Sequence, residues 1–598
     1  MALGGGCASG PRPYTLTPPK TFDDDTTAIP KPEQAEASEL WDYVYYTSVY
    51  QAEKPLDLGW TGRQVGQAVG LASGRQADNV NVLDEPPNSS WYARRHFYKE
   101  MTPAQLARGP NPPGGAPQVK EGLVVTGGKA EGATPGFTVR DAKGDRYLLK
   151  LDDPDYPELG SSSEVISTKI LYAAGYHVPE NYVVYFDPER LRVAEKATLD
   201  TGGEERSMTK EDVLHLLSKQ PRGDEGRVRA MASKFIEGEP IGPWSFEGTR
   251  EDDPNDRVWH QHRRELRGLR VVGSWINDAD RRAANTLAVY TGTKEKSGYL
   301  KHYLIDMGGT LGSTAGSPKS TLHGYEHLVD PGEIGKSALS LGLHSGRSYL
   351  FARRDTAIQY PSVGYFEAKL FDPGDWEMVY PNPAHERMTL RDAFWGAKIV
   401  MSFSDEDLEA IVGSARMTNP AAEDELLRVL KERRDKIGRY WFARAGALGR
   451  FRIESEAAAE RPVVRRATTP ASGASATAQA AGSAASPARL RFDDLAVTGE
   501  LEPAASSSYA YTFFHGGERI SETRVAQETR IPLALPGGPS LRAYLSGVGT
   551  EAPEARVVRA RVHARRAGDP AAGRAVDVYV HVPEGEAPPR VVGLRRSE

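Results

Sequence analysis

Asp280 is followed five residues later by Asn285, and then by Asp306, which closes an apolar run ahead of Gly308 and Gly309. These residue types suit phosphoryl transfer from a nucleotide. One carboxylate orients or accepts the nucleophile's proton, while a neutral oxygen and a second carboxylate hold a metal on the phosphates. Each residue also has a plainer reading. Asp280 and Asn285 are turn-capping residue types, and Asp306 reads equally well as the turn after a strand. Lys150, at the end of an apolar strand, is of a type common on protein surfaces, and Glu164 is a favourable charge in the first turn of a helix. What is uncommon is the order: a D-x4-N match between a long helix and a strand–Asp–Gly. Asp278, two residues before Asp280, is a rival base.

Several elements must position these groups. Residues 123–126, 136–140 and 146–151 predict three strands, with a tight turn at 141–145 between the last two. The first pair is joined by a long loop, 127–136, carrying Gly127, Gly128 and Gly132. Residues 161–174 predict an amphipathic helix. Ser161 would cap it, Glu164 would sit in its first turn, Val165, Ile166, Ile170 and Leu171 would form its apolar face, and Gly175 would end it. Strands follow at 182–186 and 231–236, with 237–240 as a connector. A helix over 259–276 leads into Asp280, with His260 and His262 on its solvated face. Residues 390–442 are helical again.

Composition sets the outer bounds. At 598 residues the chain predicts two or three folded units. A net charge of −6 and a charged fraction of 26% describe an ordinary surface, with no basic excess pointing to nucleic acid. No apolar run approaches the roughly 18 residues of a membrane span. The single cysteine, Cys7, excludes an internal disulfide framework. Residues 3–10 look like the end of a bacterial lipoprotein signal, but no charged or apolar region stands upstream. Either Cys7 accepts a lipid in the cell envelope, the only membrane attachment expected, or it is an ordinary residue of a leader.

The order of strand, glycine loop, strand, strand ending in Lys150, helix carrying Glu164, connector, helix, Asp280…Asn285 and Asp306 resembles the protein-kinase-like superfamily. The closer likeness is to its divergent branches: HipA-type toxin kinases, phosphoinositide kinases, CotH spore-coat kinases and secretory-pathway kinases. It covers about residues 120–440. Residues 75–180 are also similar to uncharacterised exported proteins of soil bacteria. The kinase resemblance implies ATP and Mg²⁺ as cofactors and an acceptor of unknown identity. Lys150 would contact the phosphates and Glu164 would pair with it. Asp280 would be the catalytic carboxylate, and Asn285 and Asp306 would ligate the metal. Gly127, Gly128, Gly132 and Glu237 would lie along the nucleotide. Two departures stand out: no His-Arg precedes Asp280, and the loop with Pro135 lacks G-x-G-x-x-G.

The expected fold class is α+β, a two-lobed kinase-like core followed by a small antiparallel β-sandwich. The expected divisions are a disordered leader at 1–36, an N-terminal extension at 37–119, lobes at 120–240 and 241–454, an Ala/Ser/Pro linker at 455–488 and the sandwich at 489–598. In the sandwich, 490–492, 509–514, 529–535, 540–545, 555–562, 576–582 and 590–594 predict strands. The alternative function is a degenerate kinase-fold lipoprotein serving as a binding or structural module.

Overall fold

The computed structural model describes residues 13–35, 45–50, 74–129, 135–201, 205–293, 295–329, 339–340, 357–454, 488–550, 552–566 and 574–597. Cys7, Gly132 and almost all of the expected linker lie outside them. The fold is mixed α and β with several separate sheets, and it divides into two compact units. Among the described residues no helix is long and apolar enough to cross a membrane.

The larger unit takes the described parts of Thr21–Asn79 and Pro86–Trp441. Its first helix is α1 (Pro103–Arg108). The strands are β1 (Val124–Lys129), β2 (Gly136–Arg140), β3 (Arg146–Lys150), β4 (Asn181–Phe186), β5 (Arg192–Asp200), β6 (Glu205–Ser207) and β7 (Val228–Lys234). They form a seven-stranded sheet in the order β4-β7-β3-β2-β1-β5-β6, in which only β1 and β5 run parallel. The turn between β2 and β3 closes as its sequence predicts. Asp141 Oδ1 accepts from the backbone N–H groups of Lys143 and Asp145, both at 3.0 Å.

Because side chains alternate along a strand, Tyr147 and Leu149 of β3 enter one core with Phe137, Val139 and Ala232. The alternation puts Lys150 on the opposite face, where α2 (Leu159–Ala174) lies. There Val165 of α2 packs on Met231 and Val183. The helix starts two residues earlier than predicted, and Ser161 does not cap it. Instead Asp152 accepts from the Ser161 N–H (2.7 Å) and hydroxyl (2.6 Å), so an aspartate from the preceding loop satisfies the helix's open end. Glu164 therefore sits beyond the first turn. Gly175 ends α2 at φ +119, and a Cβ there would lie 2.1 Å from the Tyr92 ring.

α3 (Lys210–Ser218) follows β6, and β8 (Glu239–Gly242), β9 (Thr286–Tyr290) and β10 (Leu300–Leu304) form a second sheet in the order β10-β9-β8. The predicted connector thus contains a strand. The predicted long helix is α4 (Arg264–Trp275), preceded by a separate buried turn at His260–His262. The reading of these histidines as solvated is corrected: His260 Nε2 lies 2.7 Å from Asp256 Oδ2 and its ring packs on Trp91. Helices α5 (Pro383–Glu386), α6 (Leu390–Val400), α7 (Asp405–Gly413) and α8 (Pro420–Ala445) complete the helical part. α4 and α6 cross closely because Gly268 meets Trp395 and Gly396 meets Val271.

Residues 21–35 correct the expectation of a disordered leader. Phe22 bridges Asn88, Ile29 bridges Gly298, and Asp25 is buried where it accepts from the Ser90 hydroxyl at 2.7 Å. Their backbone groups find partners far along the chain.

The smaller unit takes the described parts of Met1–Lys20, Val80–Glu85 and Phe442–Glu598. β11 (Leu448–Glu454), β12 (Arg489–Asp494) and β16 (Arg530–Pro532) form one antiparallel sheet. β13 (Ser508–His515), β14 (Glu518–Arg519), β15 (Arg524–Ala526), β17 (Val557–Arg565), β18 (Val576–His581) and β19 (Arg590–Arg596) form another. Both sheets share one apolar core containing Leu490, Phe492, Phe513, Val558, Val562 and Val578. Two expectations change. β11, assigned before the linker, pairs with β12 beyond it. After the short α9 (Leu495–Thr498), residues Leu541–Gly547 form a helix, α10, because Ser540 caps it by accepting from the Ala543 N–H. Its Leu541 and Leu545, four apart, both enter the core, which a helix allows.

Candidate functional site

The alternation of β3 and the depth of α2 bring Lys150 and Glu164 together. Lys150 Nζ lies 3.2 Å from Glu164 Oε2 and 2.8 Å from Asp306 Oδ1. Asp306 comes from the segment after β10 and adopts φ +53, a left-handed backbone uncommon for aspartate. That turn is anchored to α2 at two points. The Met307 N–H donates to Glu164 Oε1 at 3.1 Å, and the Thr310 and Ser167 hydroxyls meet at 2.6 Å. One buried glutamate thus holds both the lysine and the backbone beside Asp306.

The electrostatics follow from one cation facing two carboxylates. Burial works against charge on Lys150, but Glu164 and Asp306 outweigh it and hold its pKa above the ordinary value. Burial also disfavours charge on Asp306, yet Lys150 draws its pKa below normal. For Glu164 burial dominates, with Asp306 adding repulsion, so its pKa rises despite Lys150. The Glu164 side chain is 3% exposed and that of Asp306 44% exposed, so only the aspartate can meet a ligand from solvent. Behind them, a cavity of about 10 Å³ bordered by Lys150, Glu164, Met231 and Gly308 has room for about one water.

The segment between α4 and β9 supplies the other groups. Asn285 Nδ2 donates to the Asp280 carbonyl at 2.6 Å, which leaves the amide oxygen uncommitted by that bond. The Ile305 N–H donates to the Asn285 carbonyl at 3.1 Å, so Asn285 and Asp306 sit at adjacent ends of paired strands. The Asp280 side chain is 41% exposed and 3.2 Å from Arg282 Nε. Surrounding protein raises its pKa, partly offset by Arg282 and Lys319. The rival, Asp278, is closed off: its carboxylate is buried 2.8 Å from Arg281 Nε. Arg281 in turn donates to the Asn285 and Ile305 carbonyls at 2.8 and 2.6 Å, clamping the loop to the strand that leads to Asp306.

Compared with known families, with curated proteins and with solved structures, the chain matches none.

Lys150, Glu164, Asp280, Asn285 and Asp306 share one neighbourhood, and Gly127, Gly128 and Glu237 do not join it as expected. Gly127 and Gly128 lie inside β1, paired with β2 on one side and β5 on the other, and not in a loop. A Cβ at Gly128 would come within 2.9 Å of the Met208 methyl, so a side chain there would have to displace Met208. Glu237 is exposed and borders a different cavity, with Arg95 and Lys301.

Two residues elude the sequence reading. Arg281 is one, hidden as an ordinary charge between Asp280 and Arg282. The other is Lys319, from a stretch without recognisable pattern. Its buried ammonium donates to the Asn277 carbonyl at 2.7 Å and the Gly309 carbonyl at 2.6 Å, joining the two functional segments. Burial lowers its pKa to about 8, against the pull of Asp278 and Asp280. Among the described residues no three His, Cys, Asp or Glu side chains gather as a metal-holding group. Asn285 and Asp306 offer one amide and one carboxylate oxygen, a set that suits a hard cation sharing its shell with phosphate oxygens and water.

Proposed function

We propose that this chain is an ATP- and Mg²⁺-dependent phosphotransferase built on a divergent kinase-like core. The observation that carries the reading is Lys150 held between Glu164 and Asp306, with the Asp280–Asn285 loop tied to the strand before Asp306. Such an arrangement fixes a long cation where nucleotide phosphates would lie and leaves a partly exposed carboxylate beside it. Asp280, with its raised pKa and exposure, is the group to orient an acceptor hydroxyl and take its proton. Asn285 and Asp306 would hold Mg²⁺, which when bound neutralises phosphate charge. Glu164, Arg281 and Lys319 act as positioning residues, fixing Lys150 and the backbone on either side of the site.

The second reading, a binding module that has lost catalysis, is favoured by β1. Gly127 and Gly128 are packed inside a sheet, so neither is free to grip phosphate.

The test is thermal stabilisation of the full chain by ATP with and without Mg²⁺, for wild type and Asp306→Ala. A Mg²⁺-dependent rise in Tm that the substitution removes supports the phosphotransferase reading. No rise in the wild type at millimolar nucleotide supports the binding module.

A further inference from the structure

A cavity of about 280 Å³ opens elsewhere in the larger unit, close to the lower end of small-molecule sites. Arg95 reaches it from the segment before α1, His177 from just beyond α2, Lys301 and Tyr303 from β10, and Glu180 and Glu237 from the same end of the antiparallel β4–β7 pair. Its charges are sorted unevenly. The acids acting on Lys234 are Asp145, at 3.2 Å, together with Glu180 and Glu237. Among the described residues neither Arg95 nor Lys301 is ion-paired with a carboxylate, and on Lys301 burial and Arg95 both work against charge.

Both cations are held in place by neutral groups. Arg95 Nη1 donates to the Tyr172 and Tyr176 carbonyls at 2.7 and 2.8 Å, and its guanidinium lies 4.0 Å over the Tyr172 ring. Lys301 lies 5.3 Å from the Tyr303 ring centroid, two residues along the same face of β10. Burial lowers the pKa of Lys301, and Arg95 lowers it further. His177 is driven to about 3 by burial and by Lys301 and Arg95. Arg95, Lys301 and an imidazole kept neutral chiefly by burial line the cavity together with Glu180 and Glu237, and those two carboxylates act on the third cation of its wall, Lys234.

We propose that this cavity binds the carboxylate or phosphate group of a small metabolite, at a site separate from Lys150 and Asp306. An oxyanion would accept charge-assisted hydrogen bonds from Arg95 and Lys301 and remove their mutual repulsion. The tyrosine rings would then cover the ligand's less polar part. The inference does not depend on the phosphotransferase reading.

Calorimetric titration of the full chain with inorganic phosphate, and separately with malonate, tests it and distinguishes the two sources of oxyanion. Titrations are repeated with Asp306→Ala, which leaves this cavity intact. Expected is binding of at least one anion, weakened about tenfold or more by Lys301→Met, retained by Lys301→Arg and unchanged by Asp306→Ala. Failure of both anions to bind overturns the inference, as does equal affinity in Lys301→Met. Loss caused by Asp306→Ala also overturns it, since the anion would then occupy the other site. Nucleotide binding is read separately, so failure of the phosphotransferase reading leaves this result standing.

Discussion

The surroundings of α2 and the core of the smaller unit are both buried, but they are built from different materials. Around α2, Ser161, Ser162, Ser163, Glu164, Ser167, Thr168 and Lys169 are all buried along one helix. In the smaller unit the shared core of the two sheets is apolar, and its charged residues support the sheets. Arg561 grips Asp577 with two bonds of 2.7 and 2.9 Å, and Asp494 caps α9. Burying polar groups is unfavourable unless each finds a partner. A helix that buries seven of them, with partners that include Lys150 of β3, Asn181 of β4, Arg229 of β7, Asp152, Ser414 and the 306–310 segment, gives up stability to fix the positions of specific atoms. The smaller unit shows what the same chain does where shape alone is required.

Exchanging the two aspartates before β9 is the strongest way to break that contrast. Asp280→Asn is expected to lower any transfer rate by about 10²–10⁴-fold with Tm unchanged, measured by single-turnover kinetics and calorimetry. Asp278→Asn leaves the buried Arg281 guanidinium without its counter-charge and is expected to cost about 3–5 kcal/mol of stability in urea unfolding. If Asp280→Asn is the destabilising one, the assignment of roles is reversed.

Truncation in the apolar core sharpens the other side of the comparison. Phe513→Ala removes a fully buried ring and should destabilise the smaller unit by about 3–5 kcal/mol. The same denaturation series with Phe513→Leu should show a much smaller loss, because leucine refills most of the space that alanine leaves as a cavity. Equal losses would mean that shape is not what this core requires.

The smallest expected effect is a pH dependence. Lys319 has a folded pKa near 8, below about 10.4 for an unfolded lysine. Below about pH 8 it is protonated in both states, and the cost of burying its charge is fully present. Between about 8 and 10.4 the folded chain releases the proton while the unfolded chain keeps it, so this group's contribution raises stability with pH, by on the order of 3 kcal/mol. Lys169, lowered to about 7 by burial and by Arg416, acts in the same direction from a lower pH. The difference in urea stability between wild type and Lys319→Met, followed from pH 7 to 10, should therefore rise in the wild type's favour. A flat difference would mean that the Lys319 ammonium is not buried as charge.

Local chemistry is legible wherever neighbours along the chain decide it. The 141–145 turn, the strand ending in Lys150, the stop at Gly175 and the apolar run before Asp306 all depend on residues within a few positions. The start of α2 is not legible in this way because its capping carboxylate, Asp152, lies nine residues before Ser161. The strand expected at 540–545 is a helix because a Ser540 cap and core contacts at Leu541 and Leu545 outweigh its alternating pattern. The burial of His260 draws on Asp256, four residues before it, but also on Trp91, which lies far along the chain and which nothing near His260 announces.

The sequence by itself determined which groups were available for chemistry, and in what order. Lys150, Glu164, Asp280, Asn285 and Asp306 could be singled out because residue type and spacing are local properties. Only the tertiary structure decided their company. It set Glu164 between Lys150 and the Met307 N–H, closed Asp278 on Arg281 while leaving Asp280 exposed, brought in Lys319, and moved Glu237 to another cavity. The reason is that pairing and exposure depend on which segments, distant in sequence, pack against one another. That packing is set by the summed burial of many side chains, and no single motif records it.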